Sequence, residues 1–280
     1  MFSTYKKILR RMPVLVLVGM AFMSGCSGKS DHPDDANPVL VSVEMVPAAA
    51  VPGESVTLVW RFALADDWHL YWSGRNDSGF PPRIDLELPA GWLAGGLQWP
   101  TPERYLSEGD ILDHVYFGEL VLIQKLGAPT EAVPGETMAI KADVQWLACR
   151  EMCVPGNKVL SLEVPVATRV ENMEPNIASE AAGRLPGPLP AQTLETKWEG
   201  STFHVSSPRA HRLTFMPTED CGRLVDLVKD GQADRLALRF KPKGETAGPV
   251  RGLITIESAG SEPRTYRMDF PAVMLETASP

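Results

Sequence analysis

The stretch Met138-Ala-Ile-Lys-Ala-Asp-Val-Gln-Trp146 runs into Leu147-Ala148-Cys149-Arg150-Glu151-Met152-Cys153-Val154-Pro155-Gly156 and then into Val159–Val166. On one side of the cysteines Ile140, Ala142, Val144 and Trp146 alternate with polar residues. On the other side Leu160, Leu162 and Val164 do the same. Period-2 alternation marks half-buried antiparallel strands. The two cysteines therefore sit between two strands, in a hairpin or a single helical turn. Four extended residues span about 13 Å, whereas a disulfide needs Cα atoms about 4.4–6.8 Å apart. The segment must fold back before the pair can close. Such a bridge closes a five-residue loop, which contributes only about 2 kcal/mol by chain entropy. Arg150 favours a thiolate and Glu151 opposes it, so local charge does not decide the chemistry. An exchangeable redox pair, a structural bridge and a soft-metal site all remain open.

Working outward, the same alternation recurs in Val39–Met45 and in Ser55–Leu64, where Val56, Leu58, Trp60, Phe62 and Leu64 share a face. Turn clusters separate these runs: Pro52-Gly53, Asn76-Asp77-Ser78-Gly79, Pro89-Ala90-Gly91 and Pro134-Gly135. Many short strands with Gly/Pro punctuation predict an all-β sandwich over residues 38–168. Residues 169–192, with Pro175, Pro186, Pro188 and Pro190, read as an extended linker. A second, smaller β-sandwich is expected over 193–276, from Phe203/Val205, Leu213/Phe215, Leu236/Leu238/Phe240, Leu253–Ile256 and Tyr266/Met268/Phe270. Leu224–Val228 is a candidate short helix.

The first 25 residues read as a signal peptide. A basic segment from Lys6 to Arg11 precedes an apolar run from Val14 to Met23 that is too short to span a bilayer. It ends in Met23-Ser24-Gly25-Cys26, small residues before a cysteine as in a bacterial lipobox, although Met23 stands where Leu is commoner. Cys26 is therefore the expected lipidation site, and acyl chains worth about 0.8 kcal/mol per buried CH₂ would hold the protein on a membrane. Residues 26–37 read as a polar tether. Within it Gly28-Lys29-Ser30 lacks the upstream glycine and strand of a phosphate-binding loop. The chain has a net charge of −8, and loss of the four basic residues of the leader leaves −12. Binding of nucleic acid through phosphates is set aside.

The run from Trp146 to Gly156 resembles the WLxCxxxCxPG signature of the N-terminal periplasmic domain of DsbD- and ScsB-type disulfide reductases. Trp68-His69-Leu70-Tyr71-Trp72 followed by Asp77-Ser78-Gly79-Phe80-Pro81-Pro82 resembles a second family stretch, and Leu88-Pro89-Ala90-Gly91-Trp92 with Trp99-Pro100-Thr101-Pro102 a third. The resemblance spans about residues 40–167. It implies an immunoglobulin-like domain whose pair, Cys149 and Cys153, shuttles electrons. Cys153 would form the mixed disulfide and Cys149 would resolve it. A membrane-embedded thiol reductant, here a separate chain, would reduce the pair. Periplasmic acceptors would be thioredoxin-like proteins, including those of cytochrome c biogenesis, or disulfide isomerases. An aromatic lid is implied at His114-Val115-Tyr116-Phe117-Gly118, with Tyr116 or Phe117 shielding the pair and Tyr71 near it. Ser73-Gly74-Arg75-Asn76 departs from the family's Asn-Pro-Gly run, so this loop is expected to differ in shape.

Cys221 is expected to be buried and inert. No cofactor and no metal centre is expected. The alternative to the relay is a non-catalytic envelope scaffold with a structural disulfide, or a Cu(I)-binding lipoprotein. In that alternative Cys149, Met152 and Cys153 would be joined by His69 or His114 as soft ligands. No HExxH or GxSxG pattern supports a hydrolase.

Overall fold

The computed structural model describes residues 32–171 and 176–275. The leader, Cys26 and its lipobox lie outside them. The first half is a sandwich of ten strands: β1 (Val39–Val46), β2 (Ser55–Leu64), β3 (His69–Tyr71), β4 (Arg83–Glu87), β5 (Leu93–Ala94), β6 (Glu103–Ser107), β7 (Ile111–Phe117), β8 (Glu119–Gly127), β9 (Thr137–Cys149) and β10 (Cys153–Pro165). One sheet runs β1-β2-β8-β5. The other runs β10-β9-β3-β7-β6, with β4 also paired to β9. Every pairing among these strands is antiparallel.

The alternation predicted for the strands fixes which face turns inward. Val56, Leu58, Trp60, Phe62 and Leu64 of β2 join Ile140, Ala142 and Val144 of β9 in one apolar cluster, with Trp146, Leu160 and Leu162 packed against it. Burial of β2 is nevertheless nearly continuous, because its outer face is covered as well. The cover is α1 (Ile177–Gly183), whose Ala181 packs with Val59, Val121 and Ile123. This helix lies inside the stretch expected to be an extended linker. Its start is fixed by reciprocal capping: Ser179 N–H donates to Asn176 Oδ1 at 3.0 Å and Asn176 N–H donates to Ser179 Oγ at 2.9 Å.

The second half is also β. A sheet of five strands has Val250–Ser258 at its centre, between Ala210–Pro217 and Arg264–Phe270. It faces a three-stranded sheet of Glu195–Glu199, Thr202–Ser206 and Leu236–Arg239. Phe203, Phe215, Phe240, Leu213, Leu238 and Ile254 are among its buried residues. The short helix falls at α2 (Leu227–Asp230), beginning three residues later than expected and capped by Asp226.

The two halves meet along a seam. Met216 and Leu253 of the second half belong to the apolar cluster of the first. The guanidinium of Arg75 donates to the carbonyls of Cys221 at 2.7 Å, Gly222 at 3.2 Å and Glu219 at 3.3 Å, and the Arg75 N–H donates to Pro217 O at 2.9 Å. Arg104 adds a bond to Val228 O at 2.9 Å. The loop Ser73–Asn76, which departs from the family pattern, is thus the loop that holds the second half.

Candidate functional site

The β9–β10 register places Cys149 and Cys153 directly opposite each other. They are joined by a disulfide with Cα atoms 4.1 Å apart. The three-residue loop between them is closed by Arg150 N–H donating to Met152 O at 3.2 Å. The hairpin therefore folds back as the pair requires. Behind the loop, Gly156 faces Trp146, and a Cβ there would lie 2.4 Å from the indole. The glycine of the cysteine signature is what lets this ring lie flat across the hairpin.

The two sulfurs have unlike surroundings. Cys149 is 3% exposed, while Cys153, Met152 and Val154 are open to solvent. Cys149 packs with Tyr71 and Val115, and Phe117 and Leu147 lie against this cluster. All these residues project from the outer face of the sheet, because strand alternation turns Leu70, Tyr116 and Ala148 into the core on the other face. Met152, in the loop between the two cysteines, is 69% exposed, so apolar surface adjoins the disulfide.

β3 is wedged between β7 and β9, with His69 opposite Phe117 on one side and Cys149 on the other. The His69 ring lies 5.3 Å from Tyr71, 5.3 Å from Tyr105 and 5.4 Å from Phe117, centroid to centroid. Burial pushes its pKa down, with the Asp113 carboxylate pulling weakly the other way. Asp113 itself is buried and accepts from Ser78 N–H at 2.8 Å and Ser78 Oγ at 2.6 Å. The Tyr71 hydroxyl sits 3.4 Å from the same Ser78 Oγ, and burial pushes the phenol's pKa up. Gly79, next along, lies against the face of Tyr71: a Cβ there would meet the ring at 2.1 Å. The loop Asp77–Phe80 thus presses Tyr71 towards Cys149.

Of the two aromatics considered for the lid, only Phe117 is on the face of Cys149. Tyr116 is 5% exposed on the core face; its hydroxyl donates to Pro100 O at 2.8 Å and its ring stacks on Trp99 at 6.3 Å. Tyr71 packs in one apolar cluster with Cys149. His114 is fully buried on the core face, away from Cys149, and its Nδ1–H donates to Arg75 O at 2.8 Å. Only His69 of the two histidines accompanies the cysteines. Among the described residues no group of three or more His, Cys, Asp or Glu is arranged to hold a metal ion. Cys221 is buried and forms no disulfide with either cysteine, and burial pushes its thiol pKa up.

Arg150 is paired with a carboxylate. Its guanidinium bridges Asp35 Oδ1 at 2.8 Å and lies 5.2 Å above the Trp68 ring. Trp68 Nε1–H donates to the same Asp35 oxygen at 3.2 Å. These bonds hold the Asp35 carboxyl below the usual carboxylate range. The end of the expected tether is thereby fastened to the cysteine hairpin. Sequence reading had no local signal for this contact, nor for Tyr105, Asp113 and Ser78, which reach the site through strand register.

An immunoglobulin-like β-sandwich carrying a Cys-x₃-Cys disulfide at the tip of its longest hairpin defines the class. Residues 37–165 match the family model described as thiol:disulfide interchange protein DsbD, N-terminal. No curated protein sequence matches the chain. Among solved structures, the N-terminal periplasmic domain of ScsB from Proteus mirabilis is similar at 13% identity and a TM-score of 0.55. That likeness covers 84% of this chain and 94% of that one, so it extends past the first sandwich into the second. The DsbD N-terminal domain of Neisseria meningitidis in its reduced form is 18% identical with a TM-score of 0.32, over 47% of this chain and 90% of that one.

Proposed function

We propose that this chain is a periplasmic thiol–disulfide interchange protein, held on a membrane through a lipidated Cys26. In the reduced protein the Cys153 thiolate attacks a partner's disulfide and forms a mixed disulfide. Cys149 then displaces the partner, leaving it reduced and the Cys149–Cys153 bond closed. A separate membrane-embedded thiol reductant returns the pair to the dithiol form. The acceptors are thioredoxin-like or disulfide isomerase proteins, with Phe117 and Tyr71 shielding the pair between encounters.

The observation that carries this reading is the asymmetry of the pair: one sulfur is open to solvent, the other is covered by aromatics. A partner reaches the exposed sulfur first, and the covered one is protected for the intramolecular step. The same asymmetry supports the assignment of roles made from the family resemblance. Membrane confinement of donor and relay raises their effective concentration.

The test is the reduction potential of the pair with Cys221→Ser, together with trapping in cells. A potential between about −180 and −270 mV falls among exchange proteins, while one below about −300 mV is typical of structural bridges and would leave only the scaffold reading. Cys149→Ala should accumulate a mixed disulfide through Cys153, and Cys153→Ala should not.

A further inference from the structure

The resolving step needs a proton acceptor, because a buried cysteine resists ionisation. A free thiol has a pKa of about 8.5, which rises in apolar surroundings. Cys149 is in such surroundings. Setting aside the far end of the sheet around Asp143, six residues back along β9 and so about 20 Å away, the ionisable groups on its face can be taken in turn. The Tyr71 phenol is held in its protonated form by burial. Both Asp113 oxygens accept bonds from Ser78. Arg150 is paired with Asp35. Glu151 is exposed in the loop, and Glu103, on β6 opposite Val115, is exposed and separated from β9 by β3 and β7. Tyr105 lies against His69 from the far side.

His69 remains. It stands directly opposite Cys149 on the neighbouring strand, where facing side chains have Cβ atoms about 4.5–5.5 Å apart. It is 5% exposed, walled by Tyr71, Tyr105 and Phe117. Burial keeps the imidazole neutral, so that one ring nitrogen carries a free lone pair at pH 7.

We propose that His69 is the proton acceptor for Cys149 in the resolving step. This rests on the interchange reading above. The Cys149 thiol passes its proton to the imidazole as its sulfur attacks Sγ of Cys153 in the mixed disulfide. The Cys149–Cys153 bond forms and the Cys153–partner bond breaks. The partner sulfur leaves with the bonding pair, and the imidazolium returns its proton to that thiolate or to water. The pair loses two electrons and the partner gains them. Phe117 and Tyr71 act here by keeping His69 neutral as well as by covering the sulfur.

The experiment uses the chain with Cys26→Ser and Cys221→Ser, reduced and mixed with an aromatic disulfide that releases a coloured thiolate. The first release reports attack by Cys153 and the second reports resolution by Cys149. In the otherwise unaltered protein the second rate should stay nearly flat between pH 8 and 6; a tenfold fall per pH unit overturns the proposal. In His69→Gln and His69→Phe the second rate should drop about tenfold or more at pH 7, since an unaided thiol is only a few per cent ionised there. The deficit should close towards pH 10, and the first release should change less than twofold. A loss equal at every pH marks a purely structural role and also overturns it. A chain that gives a first release but never a second has no resolving cysteine, and then the interchange reading itself fails.

Discussion

Replacing Gly79 by alanine tests how the cysteine site is assembled. Gly79 has φ +54°, and a Cβ there would lie 2.1 Å from the Tyr71 ring. The left-handed backbone costs a residue with a Cβ about 1–2 kcal/mol. Displacing a packed ring adds about 1–3 kcal/mol. The sum, roughly 2–5 kcal/mol, corresponds to a fall in Tm of roughly 5–15 °C for a protein of this size. Gly118→Ala is the matched comparison. Gly118 also has positive φ, +66°, but nothing lies within 4 Å of its Cβ position, so only the backbone cost applies. The assay is thermal unfolding of both variants, followed by near-ultraviolet circular dichroism to report tyrosine and tryptophan packing. Because Tyr71 covers Cys149, the Gly79 variant should also lose its disulfide to dithiothreitol several times faster, and the Gly118 variant should not. Equal falls in Tm with equal reduction rates would refute the idea that the Asp77–Phe80 loop presses Tyr71 onto the cysteine.

Three further outcomes follow from the same contacts. Arg75→Ala removes the bonds to the carbonyls of residues 219, 221 and 222; hydrogen bonds from charged groups are worth about 1.5–3 kcal/mol each when sheltered, and partial exposure here reduces the sum to about 1–3 kcal/mol. Urea unfolding should then split into two transitions, one for each half. His114 and His69 are both buried with pKa values pushed down, so the unfolded chain takes up protons that the folded one refuses. Stability should begin to fall as pH drops below about 6.5 and stop falling at the folded-state pKa; His114→Gln should make the decline in Tm between pH 7 and 5 shallower. Asp35, whose pKa is depressed, should hold Trp68 and Arg150 above about pH 4 and release them as pH falls through its folded value. The acid-induced fluorescence change attributable to Trp68 should vanish in Asp35→Asn.

The strands legible in the sequence are those with one buried face. In β2, β9 and β10 the alternating residues pointed to the core are the residues found there. β3 is three residues long and buried throughout, so no period announces it. Its importance comes from being flanked by β7 and β9, a pairing no local pattern encodes. Alternation does say that Tyr116 and Phe117 face opposite ways, but not which of them looks inward; the hydrogen bond to Pro100 and the stack on Trp99 settle it. The helix at Ile177–Gly183 was hidden by the prolines around it, although Asn176 and Ser179 stand at capping distance. Arg75 reaches carbonyls 144 to 147 positions away, and only the folded chain reveals that.

Met216 and Leu253, which complete the first half's apolar cluster, bear on how the protein can be produced. A fragment ended at residue 168 would present bare hydrocarbon where those two side chains belong, beside an Arg75 with no carbonyls to grip. Such a fragment invites self-association through that opening, and the dimer it formed would be an artefact of where the gene was cut. Polar replacement of the uncovered positions, or expression of both halves together, removes the hazard. The oligomeric state of any shortened form then reports on the cut edge before it reports on biology.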